Sequence, residues 1–353
     1  MTLTANAPAT SAAVRGLLPG LGLTAGAVAV ALVVNSLVPA VSAAVVAVVL
    51  GAALANTTGV GAVFAPGVRF VSRTVLRAAI VVLGLQIAVP DVLALGWQPL
   101  AVVALATGIT FTVTPLAGRW LGLSRGTSLL VATGVSICGA AAVAGMHEAT
   151  GGERGVSDDD DVAGALSVVV LYGTALIALL PLLASWLGLN SHQLGVWAGA
   201  SVHEVAQVAA IGAAGGAAVL TVAVTVKLAR VVLLAPLVAL TSLRLRREET
   251  GAPGTRTGTG SDPEAPRRAT PLVPAFVLGF LAMVAVRATG LVPEAVTGAA
   301  PRLSALLLAA ALFGLGTGID VRRLVRGGRA LLLGGIATTM IVTLSLGGVA
   351  LLI

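Results

Sequence analysis

The chain has 353 residues, 57% of them hydrophobic and 10% charged, far below the roughly 25% charge of soluble domains, which excludes water as its main solvent. The formal charge of +7 sits in short arginine clusters between apolar runs, where arginine reads as a topology signal, so nucleic acid is set aside as a partner. The single cysteine, Cys138, excludes an intramolecular disulfide framework.

Residues 16–68 carry no charge, and neither do residues 162–203 apart from histidine. Each run is about twice the roughly 20 residues that one bilayer crossing needs. The runs are apolar on every face, which favours helices over a closed barrel. The expected fold is therefore an all-α, polytopic transmembrane bundle of about 10–11 helices forming one domain over residues 1–353, with inverted repeats and broken or crossed helices as a further expectation.

In chain order the candidate spans are 17–38, 40–56, 76–95, 99–117, 127–146, 162–187, 195–212, 217–243, 272–286, 303–319 and 330–353. The first fourteen residues lack a signal-peptide pattern, so the first helix is expected to stay attached. Arg15, Arg69, Arg73, Arg119, Arg125, the arginines of 244–268 and those of 322–329 all fall on one side of this arrangement. That side is expected to be cytoplasmic, with the amino terminus inside, the carboxyl terminus outside, and the acidic loop Glu148–Asp161 outside. Residues 244–270 are rich in Arg, Gly, Thr, Glu and Pro and are expected to form a disordered cytoplasmic linker. The run Asp158–Asp161 is expected to be a solvated acidic loop, and Asp91 and Asp320 to be interfacial.

Two internal similarities stand out. Gly84-Leu85 with Leu93, Gly96 and Leu100 lines up with Gly314-Leu315 followed by Leu324, Gly327 and Leu331, given one inserted residue. Gly134, Ser136, Cys138, Ala141 and Val143 line up with Gly199, Ser201, His203, Ala206 and Val208.

Ionisable groups in hydrocarbon cost about 2.5–3.5 kcal/mol each on insertion scales, so they need a partner or a wet cavity. Here they concentrate in 195–243: Ser201, His203, Glu204 and Gln207, then Lys227 and Arg230, at spacings that give each set a shared helix face. Lys227 is the only lysine. Two readings stay open: Lys227 and Glu204 neutralise each other, or Lys227 and Arg230 form a cationic site for an anion with His203 or Glu204 as proton carrier. The stretch 134–142, with Ser136, Cys138 and Gly139, reads either as a broken helix offering free backbone amides or as a tight small-residue contact. The candidate substrate-binding set is thus Ser136, Cys138, Gly139, Ser201, His203, Glu204, Gln207, Lys227 and Arg230. No phosphate loop, metal-ligand spacing or nucleophile elbow occurs; no cofactor or metal is expected.

Four segments carry a family likeness: Gly134-Val-Ser-Ile-Cys-Gly-Ala-Ala-Ala, Ser201-Val-His-Glu-Val-Ala-Gln-Val, Val226-Lys-Leu-Ala-Arg-Val and Pro274-Ala-Phe-Val-Leu-Gly-Phe. They resemble the YeiH-type sulfate exporter family of bacterial inner-membrane proteins, from about Leu17 to the end. The resemblance implies a secondary transporter of a small inorganic or sulfur-containing anion such as sulfate or sulfite, and kinship with inverted five-helix repeats. The expected partners are that anion and membrane lipids, with H+ or Na+ as coupling ion; homo-oligomerisation stays open. An anion channel and a membrane-embedded enzyme using His203 and Glu204 are the alternatives.

Overall fold

The computed structural model describes residues 9–38, 42–150, 155–250, 275–319 and 328–353. All regular structure among them is helical. In order come α1 (Ala9–Leu37), α2 (Ala43–Thr57), α3 (Ala65–Phe70) running through a π-helical turn into α4 (Leu76–Leu83), α5 (Val89–Ala94), α6 (Trp97–Trp120), α7 (Arg125–Ser136) and α8 (Ala140–Thr150). Then follow α9 (Asp159–Trp186), α10 (Ser191–Ser201), α11 (Val205–Gly215), α12 (Ala217–Val232), α13 (Leu234–Thr250), α14 (Ala275–Ala288), α15 (Glu294–Gly316) and α16 (Gly328–Leu352). Six stretches are long and apolar enough to cross a membrane unaided: residues 16–37, 97–120, 159–186, 217–245, 294–316 and 328–352. This is the polytopic helical bundle that the composition dictates.

The third span is shifted from its expected place. It begins at Ala65, not at Leu76, and ends at Gln86, because Ile87 and Ala88 are extended and the separate helix α5 opens at Val89-Pro90, where the missing N–H of proline breaks no helical bond. Arg69 and Arg73 lie inside the helix and not before it, exposed so that their long stems carry the charge outward. Likewise α13 continues to Thr250, so the first residues of the expected linker, 244–250, are helical; its remainder, 251–270, lies outside the described residues, as do Asp320 and Arg322–Arg326. Asp91 stands in the first turn of α5.

The largest correction concerns two spans. Helix α7 has 12 residues and α8 has 11, each reaching only about 17 Å, roughly half of a 30 Å hydrocarbon core. They do not continue each other. Gly134 packs against Val143, positions symmetric about the break at 137–139, so the chain folds back. Both ends of the pair are held at one place: Ser124 donates to Asp161 at 2.6 Å, and His147 and Thr150 lie 3.0 and 3.2 Å from the Ser157 hydroxyl. Residues 125–150 therefore form a re-entrant hairpin.

The same holds for α10 and α11. Val219 of α12 packs against Gly195, near the start of α10, and against Gly215, the end of α11. Since Gly199 meets Ala223 and Val226 while Gly212 meets Leu220, α10 runs parallel to α12 and α11 antiparallel to it. This second hairpin enters from the opposite face, because α9, a 28-residue helix, carries the chain across between them.

Turning the fifth span into a hairpin moves the acidic loop. The structure places Asp158–Asp161 on the same face as Arg125, since Ser124 and Thr127, on either side of Arg125, both donate to Asp161; the expectation of opposite faces is overturned. Nor is Asp158–Asp161 merely a solvated loop. Asp158 caps α9 and Asp161, 8% exposed, accepts from Ser124 and Thr127, so two of the four carboxylates satisfy helix amino termini. Gly20 of α1 packs on Gly67, Gly314 packs on Val68 and Ser72, and Gly318 on Asp159, which puts the start of α1 on the arginine-rich face. Helix α16 starts there too, with Arg329 near Gly122, and crosses to the other. Gly84 lies at the end of the helix 65–86, whereas Gly314 of α15 packs against its start.

Single cysteines placed at Arg125, Asp159 and His192 in a Cys138→Ser background test the hairpins. With a membrane-impermeant maleimide, positions 125 and 159 should label from one face and 192 from the other; labelling of 125 and 159 from opposite faces would restore a full crossing.

Candidate functional site

The two hairpin tips meet inside the bundle. The first tip is Ile137-Cys138-Gly139, where Gly139 takes φ +71; a Cβ there would lie 2.6 Å from Cγ of Glu204 and 3.0 Å from Val169, so glycine is required both for the left-handed turn and for the approach of the second tip. That second tip is Val202-His203-Glu204, extended at Val202 and Glu204. Tip residues Cys138 and His203 are 65 positions apart, as are Ser136 and Ser201. The internal similarity in the sequence therefore marks equivalent positions of two opposed hairpins.

Each tip leaves a half-helix carbonyl end in the interior, where the last turn has no partner. Lys227 and Arg230, on successive turns of α12 and fully buried, fill this need. Lys227 Nζ donates to Ile137 O and Val202 O, both at 2.7 Å. Arg230 donates through Nε to Ser136 O at 2.6 Å, through Nη1 to Ala200 O and Val202 O at 3.0 and 2.9 Å, and through Nη2 to Val135 O. Two cations thus tie the negative ends of α7 and α10 together.

The amide ends face a different group. Glu204 precedes α11 in a capping-box arrangement, with its own N–H donating to Gln207 Oε1 at 2.9 Å. Its carboxylate accepts from Ser42, the N-cap of α2, at 3.0 Å through Oε2, while Oε1 is buried without a partner. Gly139, one residue before α8 opens, lies against this side chain. Glu204 and Lys227 do not form an ion pair, so mutual neutralisation by direct contact is overturned: each is engaged with the half-helix ends of complementary sign.

His203 turns the other way. Its Nε2 lies 3.0 Å from Thr338 of α16, and its Nδ1 has no partner among the described residues. Ser201 bonds back to Trp197 O at 2.6 Å, whereas the Ser136 hydroxyl is buried and unpaired. Gln207 fits against Gly173 of α9, and the Cys138 thiol is buried between the tips. All nine candidate residues therefore converge on the meeting of the two hairpins. Ser42 and Thr338 join them, and the sequence pattern does not single them out; only the N-cap position of Ser42 ahead of an apolar run is a local signal. Among the described residues there is no cluster of His, Cys, Asp or Glu suited to a metal.

This constellation sits in segments that other chains share. The family model described as conserved hypothetical protein 698 matches residues 19–335. A UPF0324 membrane protein of Corynebacterium glutamicum is 41% identical over 336 residues, covering 94% of this chain and 92% of its own. The chain belongs to the UPF0324 family. Its members include the UPF0324 membrane protein TauZ of Paracoccus denitrificans, 38% identical over 285 residues with 78% of this chain and 79% of its own covered, and one of Bacillus cereus at 33% with 79% and 77% covered. No solved structure matches. UPF0324 is the YeiH-like family that the tip motifs resemble, and the four quoted segments include both hairpin tips and the Lys227–Arg230 turn.

Two substitutions separate the roles of these groups. Gly139→Ala should lower stability by about 1–2 kcal/mol for the left-handed backbone, with about 1–3 more for the overlap with Glu204, whereas Cys138→Ser should be mild, read as melting temperatures in detergent. Lys227→Met orphans the Ile137 carbonyl, at about 1–3 kcal/mol, and adding Glu204→Gln should not restore the loss. Recovery to the wild-type melting temperature in the double variant would reinstate a Glu204–Lys227 pair.

Proposed function

We propose that this membrane protein is a secondary active transporter that moves a small inorganic or sulfur-containing anion, with sulfate and sulfite as the first candidates, along an ion gradient. The observation that carries the reading is the meeting of two re-entrant hairpins from opposite faces around buried Lys227 and Arg230. Such a barrier is built of two movable halves. Withdrawing one tip would expose the same central residues to one face, withdrawing the other to the second face, which is what alternating access requires. Helix amide ends and fixed cations in the hydrocarbon favour a negatively charged substrate.

A carrier fits better than an enzyme. His203 and Glu204 are neighbours in sequence but engage α16 and α2 respectively, so they offer no acid–base pair on a common substrate. By the positive-inside rule the arginine-rich face, with the start of α1, is cytoplasmic and the end of α16 is external.

Reconstituted into liposomes, the protein should show saturable sulfate or sulfite flux accelerated by the same anion on the other side. Flux that is non-saturable and without counter-substrate acceleration would make it a channel; product formation without flux would make it an enzyme.

A further inference from the structure

Glu204 occupies the place that an anionic substrate would need. It is 6% exposed, stands at the amide end of α11, and lies against Gly139 of the opposing tip, one residue before the amide end of α8. One carboxylate oxygen is held by Ser42 at 3.0 Å while the other, buried, finds no partner. A carboxylate that rests on two half-helix amino termini with an oxygen unsatisfied is itself a bound oxyanion, tethered to the chain. The neighbouring cations do not hold it: Lys227 and Arg230 direct their hydrogen bonds to the carbonyls of 135, 136, 137, 200 and 202.

We propose that Glu204 is a tethered competitor of the transported anion, and that the anion takes its place at the amide ends of α8 and α11 only when Glu204 has accepted a proton, which makes H+ the coupling ion. The inference rests on the transporter reading above. On the side of entry the carboxylate takes up one proton, becomes neutral and yields the amide ends to an oxyanion. On the side of release the anion leaves, Glu204 gives up the proton, and its carboxylate returns. The carbonyl ends, where a coupling sodium ion would bind in a broken-helix carrier, already carry two side-chain cations. The titratable and charged groups around Glu204 are His203 beside it, Lys227 and Arg230 from α12 and Cys138 from the facing tip. Its other polar neighbours are Gln207 and, from α2, Ser42.

The test uses oxyanions whose charge does not change near neutrality, so that any pH dependence belongs to the protein: sulfate, thiosulfate, nitrate and methanesulfonate, with wild type, Glu204→Gln and Ser42→Ala. Binding is read as thermal stabilisation of the purified protein and flux in proteoliposomes. In the wild type the affinity for at least one of these anions should weaken by about tenfold per pH unit on the alkaline side, and an inward proton gradient should drive its accumulation. Glu204→Gln should bind it with a flat pH profile and exchange it without response to the proton gradient. Ser42→Ala should keep the slope and move its midpoint, which keeps the test alive should Glu204→Gln fail to fold. A Glu204→Gln profile with the wild-type slope, accumulation driven by sodium alone, or, in Ser42→Ala, either a flat profile or a midpoint that has not moved overturns the proposal. Binding with the expected profiles but without flux leaves the competitor in place and removes the transporter reading. Binding of none of the anions by any variant at any pH removes both.

Discussion

Two half-helices that end in the middle of a bilayer present the chain with unpaired carbonyls in a medium without water, and everything around the tips follows from how these are satisfied. An orphaned backbone carbonyl in hydrocarbon costs several kcal/mol. Lys227 and Arg230 meet the last carbonyls of α7 and α10, and in doing so convert two cations that would be expensive alone into the link between opposing hairpins. Neither element is stable without the other: the tips need donors, and the cations need acceptors. The reciprocal arrangement at the amide ends, with Glu204 and Ser42, gives the centre of the molecule opposite charges that are kept apart by helix polarity.

The helical class and most span positions were legible in the sequence, because an apolar run of about 20 residues has few other uses. Hydropathy measures only how much of a segment is apolar, however, and a hairpin of two short helices scores like one crossing. The break at Gly139 was visible as a glycine beside a serine and a cysteine, yet nothing in those letters says whether the chain continues or turns back. What decides it is the partner: Asp161 holding Ser124, and Val219 touching both legs of the second hairpin. That is non-local information. The same omission put the acidic loop on the wrong face.

For the site the sequence did better than for the path. Buried ionisable residues in apolar spans are rare and expensive, so the cluster from Ser201 to Arg230 announced itself, and the match between 134–143 and 199–208 identified both tips. Roles were less legible. Lys227 was open between pairing with Glu204 and holding an anion, and its donors go to half-helix carbonyls and not to Glu204. Ser42 and Thr338 look like any hydroxyl in a hydrophobic helix until the fold brings them to Glu204 and His203.

The two hairpins are anchored by different chemistry. The base of the first is ringed by ionic contacts, Arg77 with Glu148, Arg125 with Glu248 and His147 near Asp159, whereas the base of the second rests on valines and glycines at 195, 215 and 219. Exposed ion pairs weaken as counterions screen them, over a length of about 8 Å at physiological ionic strength; contacts between valine and glycine do not. In a cycle that opens one hairpin at a time, the two half-reactions therefore answer to different features of their surroundings. In the proposed transport cycle, electrolyte on the arginine-rich face therefore loosens the closure of the first hairpin and leaves that of the second unchanged.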